Sequence, residues 1–270
     1  MGISVLLSVY CKEKPQHLKK ALESIYLEQT RKPDEVVLIE DGLLTDELYE
    51  VIEHFALECD ELKIYQFDEN VQLGRALQKG VELCENELIA RMDADDIALP
   101  DRLKNQEEFM IKNIDIAACG GWIEEFDDED SAFKQLKQMP EKPEEIRRYA
   151  KYRNPMNHMT VMFRKTAVLE AGNYQHYPFL EDYYLWMRML AAGSELYNIP
   201  QTLVKMRSGM KVYDRRGGRK YTLRYLELRK IQRKLGLLTG LQYICSIILT
   251  CGMTMSGSLM RKILYRKVLR

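Results

Sequence analysis

The sequence predicts an α/β protein, a mostly parallel sheet flanked by helices, with a basic helical C-terminal extension. Three observations predict it. Strand-length apolar runs alternate with amphipathic stretches three times before residue 93, as in a parallel sheet covered by helices. The runs ISVLLSV (3–9) and EVVLIE (35–40) are apolar without strict alternation, the mark of strands buried on both faces. Charge is also divided along the chain. Residues 201–270 carry 17 Lys or Arg against two acids, Asp214 and Glu227, which leaves 23 bases and 39 acids in residues 1–200.

Taken in order, residues 3–9 form the first strand. Residues 15–28 follow as a helix, with Pro15 at its start and Leu18, Leu22 and Ile25 on one face. Residues 35–40 are a second strand, and 46–58 a helix with Leu48, Val51, Ile52 and Phe55 aligned. LKIYQF (62–67) reads as a strand, 73–84 as a helix, and ELIARM (87–92) as a short strand running directly into Asp93-Ala94-Asp95-Asp96. Beyond residue 100 the alternation weakens. Helix is expected at 101–112, strand at 114–123, and a polar loop or short β excursion over 124–145. Then come a helix opened by Pro143 over 143–152, a strand at 159–163, and a helix near 165–171 closed by Gly172. A helix over 180–192 stops at Gly193, and strand and loop return at 195–207. There is no internal repeat.

A chain of 270 residues with 46% hydrophobic content can bury a large core without staples. Its six cysteines include no C-x-x-C pair, so they read as reduced thiols of a cytosolic protein. The opening MGISVLLSVY has no basic n-region and no small-residue cleavage site, and reads as a strand rather than a signal peptide.

Four features carry candidate chemistry. Asp93, Asp95 and Asp96 fall within four positions at the end of a buried strand. Crowded carboxylates repel unless a cation sits among them, and hard oxygen donors suit Mn²⁺ or Mg²⁺. A solvated acidic turn is the plainer alternative. Glu40-Asp41-Gly42 also ends a strand; its carboxylates can accept from a base or ribose, though Asp-Gly favours turns in any case. Glu181-Asp182 open a helix that contains Trp186 and Arg188. Acids there are stabilised by the helix dipole, and either can also serve as a general base toward a hydroxyl. His158 is a lone histidine, structural or else a metal or phosphate partner.

The ordered stretches SVLLSVYCKE, VVLIEDG, NVQLGRALQKG, LIARMDADDIALPDRL, NHMTVMFR and FLEDYYLWMRM resemble glycosyltransferase family 2 with the GT-A fold, over residues 3 to 207. D-A-D-D-x-x-x-P-x-R-L and E-D-x-x-L-W-x-R, in that order, are specific together. The resemblance implies inverting transfer of a sugar from a nucleotide diphosphate. It implies that Ser8, Val9, Tyr10 and Asp41 line the nucleobase and ribose pocket, with Arg75 and Asp93 near the nucleotide. Asp95 would hold the metal, with His158 as a further ligand; Asp182 would be the base and Glu181 its orienting neighbour. It divides the chain into a catalytic domain over 1–210, nucleotide-binding in 1–100 and acceptor-binding in 101–210, and a tail over 211–270. Two positions depart from the family pattern. Cys11 stands where Asn is usual, and Glu40-Asp41-Gly42-Leu43 stands for D-D-G-S.

In the tail, residues 235–260 carry no charge and are flanked by Arg229, Lys230, Arg233 and Lys234 before and Arg261, Lys262, Arg266, Lys267 and Arg270 after. Such a segment is long enough to span a bilayer. A polar stripe of Thr239, Gln242, Ser246, Thr250, Thr254 and Ser258 and four glycines favour a segment lying at an anionic membrane surface. A helical pair packed on the catalytic domain or on a second subunit is the alternative. The expected partners are therefore a UDP-sugar donor, a glycan or lipid-linked acceptor, and the inner face of a cell membrane, with no nucleic acid. Bacterial surface polysaccharide synthesis suits them. A non-catalytic nucleotide-sugar-binding scaffold is the competing reading. A dinucleotide oxidoreductase is disfavoured, because no G-x-G-x-x-G follows the first strand.

Overall fold

The computed structural model describes residues 1–128, 132–208 and 218–255. Strand β1 (Ile3–Val9), helix α1 (Pro15–Ile25), strand β2 (Glu35–Glu40), helix α2 (Asp46–Ala56), strand β3 (Leu62–Gln66), helix α3 (Leu73–Leu83) and strand β4 (Leu88–Asp93) form the alternating half. The strand order is β3-β2-β1-β4, all parallel. The chain therefore leaves β1 to one side and returns to its other side after α3. That makes β1/β4 a topological switch point, where open α/β sheets bind ligands at the strands' carboxyl ends.

The second half extends the sheet with mixed directions. β8 (Met162–Arg164) joins β4 antiparallel and β6 (Ile116–Phe126) joins β8 antiparallel. β9 (Glu195–Arg207) runs parallel to β6, and the two-residue β5 (Ile97–Ala98) closes the edge on β9. β7 (Lys134–Lys137) pairs off the end of β6. Helices α4 (Arg102–Lys112), α5 (Pro143–Tyr149), α6 (Lys165–Glu170) and α7 (Glu181–Ala191) connect these strands.

Both sheet faces are buried. Ile3, Val5, Leu7 and Val9 of β1 pack with Leu18 and Leu22 of α1 and Leu48 of α2 on one side. Leu6, Val37 and Ile39 pack with Ala76 and Leu77 of α3 and Trp186 of α7 on the other. This is why the runs of β1 and β2 read as continuously apolar.

One expectation needs correction. A strand was expected at 159–163, but a 3₁₀ turn occupies His158–Thr160 and the strand begins at Met162. Thr160 explains the shift: its hydroxyl donates to Asn157 O and accepts from Gly121 N–H, a local alternative that competes with the ladder. The sheet is parallel from β3 to β4 and takes mixed directions beyond it. β5 was not anticipated at all, being two residues held by pairing with Val204 and Lys205.

The expected boundary at 210/211 and the end of the tail lie outside the described residues. Within them, helices α8 (Arg219–Lys234) and α9 (Gly240–Thr254) form a hairpin. α8 is docked on the catalytic body. Arg229 is buried and donates to the carbonyls of Lys151 and Tyr152 and to the Tyr183 hydroxyl. Gln232 donates to Ala150 O. These bonds hold α8, which precedes the uncharged segment 235–260, against the rest of the fold. Among the described residues, no helix is long and apolar enough to cross a membrane.

Candidate active site

The ends of β1, β2 and β4 meet on one rim. Ser8 is opposite Asp93, and Val9 is opposite Glu40. The acidic turn after β4 is braced from three directions. Arg91, buried within β4, donates to Asp93. Arg102 of α4 donates to Arg91 O at 2.6 Å. Arg207, at the end of β9, donates its backbone N–H to Asp96 Oδ1 at 2.8 Å and its Nε to Asp95 O at 2.9 Å. So held, Asp93, Asp95 and Asp96 each offer a carboxylate oxygen within 4.8 Å of the others.

Burial, then the charges of Asp93 and Glu13, push Asp95 up to about 7. Burial and the charges of Asp95 and Asp93 raise Asp96 well above the ordinary range. The crowding is thus under-compensated by the nearby cations, and three hard oxygen donors fit a divalent cation. Because the Asp95 carboxyl titrates higher in the folded than in the unfolded state, the metal-free protein loses stability as pH rises from the ordinary carboxylate range to about 7. A cation restores that loss. We therefore expect Mn²⁺ affinity to fall by about tenfold per pH unit below 7, since the proton must be displaced. The thermal shift caused by Mn²⁺ should be larger at pH 8 than at pH 6. Calorimetric titration across that range checks it; a pH-independent affinity would remove Asp95 from the ligand set.

The second group lies at the head of α7. Asp182 lines a cavity of about 300 Å³ together with Asn154, His158, Tyr152, Phe179 and Tyr221. Asn154 Nδ2 donates to Asp182 Oδ2 at 2.5 Å and the Tyr183 N–H donates to Oδ1 at 2.7 Å. Burial raises the Asp182 carboxyl, while these two bonds and the Arg91 charge pull it back. A carboxyl raised in this way is a better proton acceptor than an exposed one. Glu181 is pushed up to about 7, by burial first and the Asp182 charge second. The first turns of α3 and α7 abut, since a β-carbon at Gly74 would lie 3.3 Å from that of Glu181. The backbone entering α7 is strained: Phe179 has φ of 74°, an outlier for a bulky residue.

His158 is not gathered with the three aspartates. Its Nε2 lies 2.9 Å from the Tyr174 hydroxyl, and burial and the Arg91 charge keep the ring neutral. Ser8 is half-buried, Val9 is buried and Tyr10 is 41% exposed at the rim. Asp41 is buried beneath the rim, and its carboxylate already accepts from Val71 N–H at 2.6 Å and Asn70 Nδ2 at 3.0 Å. Gly42 allows this approach: its φ is 89°, and a β-carbon there would sit 2.8 Å from Asn70 N. Asp41 thus ties the loop before α3 to β2, and Arg75 stands exposed on the first turn of α3.

Sequence reasoning missed Asn154, Arg91, Arg207 and the hydrogen bond that Asp96 accepts from the Arg207 N–H. Arg91 had a signal, a charge inside the apolar run LIARM. Its Nε and Nη1 are buried without a partner, and its charge acts on both Asp93 and Asp182. It links the two carboxylate groups. Asn154 and Arg207 had none, because each reaches its partner only through the fold.

The family model described as "Glycosyl transferase family 2" matches residues 4–171. The chain is 36% identical over 243 residues to the "Amylovoran biosynthesis glycosyltransferase AmsE" of Erwinia amylovora, covering 89% of this chain and 90% of that protein. It is 34% identical over 267 residues to the Escherichia coli "UDP-Gal:alpha-D-GlcNAc-diphosphoundecaprenol beta-1,3-galactosyltransferase", covering 99% of this chain and 96% of that one. Among solved structures, S. aureus TarS 1-349 in complex with UDP superposes with a TM-score of 0.68 at 17% identity, covering 99% of this chain and 75% of that one. At that identity the likeness speaks for the fold.

Proposed function

Because this chain belongs to glycosyl transferase family 2 and has the GT-A fold, we propose that it transfers a sugar with inversion from a UDP-sugar to a hydroxyl of a glycan or lipid-linked acceptor. The observation that carries this reading is the placement of Asp182. It is a carboxylate oriented by Asn154 and the Tyr183 N–H at the wall of a cavity, with a second carboxylate group of opposite aptitude at the end of β4.

The division of labour follows from the residues. Ser8, Val9 and Tyr10 border the nucleoside site, and Asp41 shapes it through the loop at Asn70–Val71. We assign Arg75, on the first turn of α3, to the diphosphate. Asp95 and Asp93, with Asp96, would hold Mn²⁺ or Mg²⁺, which supplies charge stabilisation to the leaving nucleoside diphosphate. Asp182 takes the proton from the acceptor hydroxyl as that oxygen bonds to the anomeric carbon. The bond to the diphosphate breaks on the opposite face, so the anomeric configuration inverts. His158 is neutral and bonded to Tyr174, so we assign it to shaping the cavity before we assign it to the metal. The catalytic domain over 1–210, its two halves and the tail over 211–270 are retained as the working division.

The donor assignment rests on two proteins whose names or titles carry UDP or UDP-Gal. The acceptor assignment and a place in bacterial surface polysaccharide synthesis rest on the amylovoran and diphosphoundecaprenol relatives. Such an acceptor puts the enzyme at the inner face of a membrane. The test is a donor screen. Full-length protein with Mn²⁺ is offered UDP-, GDP- and dTDP-sugars, and slow hydrolysis and thermal shift are read. A UDP-sugar should both stabilise and be hydrolysed. A response confined to GDP- or dTDP-sugars would overturn the donor, and hydrolysis of none would overturn the transferase assignment.

A further inference from the structure

Helix α9 is polar where it should be apolar and apolar where it should be polar. Ser246, Thr250 and Thr254 are spaced by four and lie on its buried side, all at most 4% exposed. Their hydroxyls are satisfied there: Thr250 accepts from Arg229 Nε at 3.1 Å, Thr254 is 2.8 Å from the Thr222 hydroxyl, and Ser246 donates to Tyr243 O. The opposite side carries Leu241, Ile244 and Ile248, with Met255 just past its end, between 55% and 74% exposed. A surface helix in water places its apolar stripe inward. A helix that anchors its polar stripe to the protein and turns its apolar stripe outward is built for an apolar medium.

The charges beside it select the occupant. Arg219, Lys220, Lys230, Arg233 and Lys234 of α8 are all exposed, and the chain beyond residue 200 is strongly basic. Two copies facing each other across α9 would bring these charges together, whereas anionic headgroups would neutralise them. We propose that the outward face of α9 is the membrane-docking surface, seated in an anionic bilayer with the basic residues of α8 at headgroup level. This rests on the lipid-linked acceptor reading above and deepens it. Leu249, Thr250, Met253 and Thr254 of the same helix wall the cavity that holds Asp182. The helix that meets the lipid therefore also borders the acceptor site, and the acceptor's lipid chain need not leave the bilayer for its hydroxyl to reach Asp182.

The experiment uses the full chain and vesicles, either mixed phosphatidylglycerol and phosphatidylcholine or phosphatidylcholine alone, with wild type and an Ile244→Glu/Ile248→Glu variant. Both positions are exposed, so circular dichroism and melting should be unchanged. Wild type should float with the anionic vesicles, less with the neutral ones, and release with salt, because headgroup attraction is screened over about 8 Å at physiological ionic strength. The double variant should bind at least about tenfold more weakly. It should lose transfer to a lipid-linked acceptor in vesicles while keeping transfer to a short-chain, water-soluble one. Equal vesicle binding by the two proteins overturns the proposal. So does a wild-type dimer that the variant converts to monomer without any vesicle binding. Failure of both proteins on the water-soluble acceptor, with the difference in vesicle binding intact, overturns the transferase reading and leaves the docking surface standing.

Discussion

Asp182→Asn should lower kcat by at least about a hundredfold and leave donor affinity nearly unchanged. General-base assistance is worth about 10²–10⁴ in rate and acts on the acceptor hydroxyl in the transition state. In the proposed function the donor is bound by residues at the ends of β1, β2 and β4 and not by Asp182, so its affinity should move little. Asparagine keeps the shape and can still accept from the Tyr183 N–H, which now reaches Oδ1 at 2.7 Å. Glu181→Gln should cost less, since Asp182 and not Glu181 lines the cavity. A third variant separates base from scaffold. The bond from Asn154 favours the ionised form of Asp182. Asn154→Ala should therefore raise the carboxyl's pKa and move the acid limb of the kcat–pH profile to higher pH, with the plateau partly retained. The measurements are turnover with acceptor against pH, and donor binding by calorimetry. If Glu181→Gln is the more damaging change, or if Asp182→Asn weakens donor binding as much as it slows turnover, Asp182 is not the base.

Asp95→Ala should reduce transfer to background and abolish the metal-dependent part of nucleotide diphosphate binding. The fold should persist. Asp95 is held near neutral pH by burial and by the charges of Asp93 and Glu13, so removing it relieves repulsion. At pH 8 the metal-free variant should melt at or above wild type, and the stabilisation by Mn²⁺ should be lost. Asp96→Ala should behave differently. Asp96 is buried, and its Oδ1 accepts the Arg207 N–H that ties β9 to the turn. Its loss should lower stability as well as metal binding. Near-normal turnover of Asp95→Ala in Mn²⁺ would displace the metal from this turn. Melting curves with and without Mn²⁺ separate a lost ligand from a lost fold.

Much of the alternating half was legible because its signals are local. The runs 3–9 and 35–40 match β1 and β2, and the expected helix starts at residues 15, 46 and 73 match α1, α2 and α3. Helix ends were overrun by one to three residues, as at Ile25 against an expected 28, because terminal turns are decided by neighbours. In the second half, β8 was misplaced and β5 missed. These strands are three and two residues long, and pairing rather than patterning defines them.

The sequence by itself determined the α/β class, the family, and the two acidic groups Asp93–Asp96 and Glu181-Asp182, since each is written in contiguous residues with a periodicity or a motif. The tertiary structure alone decided what surrounds them. Asn154 reaches Asp182 across 28 positions of chain, and Arg207 reaches Asp95 across 112. Arg91 links the two groups because β4 carries it between them. The polar stripe of α9 shows the same limit. Its period was visible in Ser246, Thr250 and Thr254, but a stripe does not say which way it faces. Arg229 and Thr222, brought beside it by α8, offer hydrogen bonds to the hydroxyls of Thr250 and Thr254, and satisfying them inside the protein is what turns the apolar side outward.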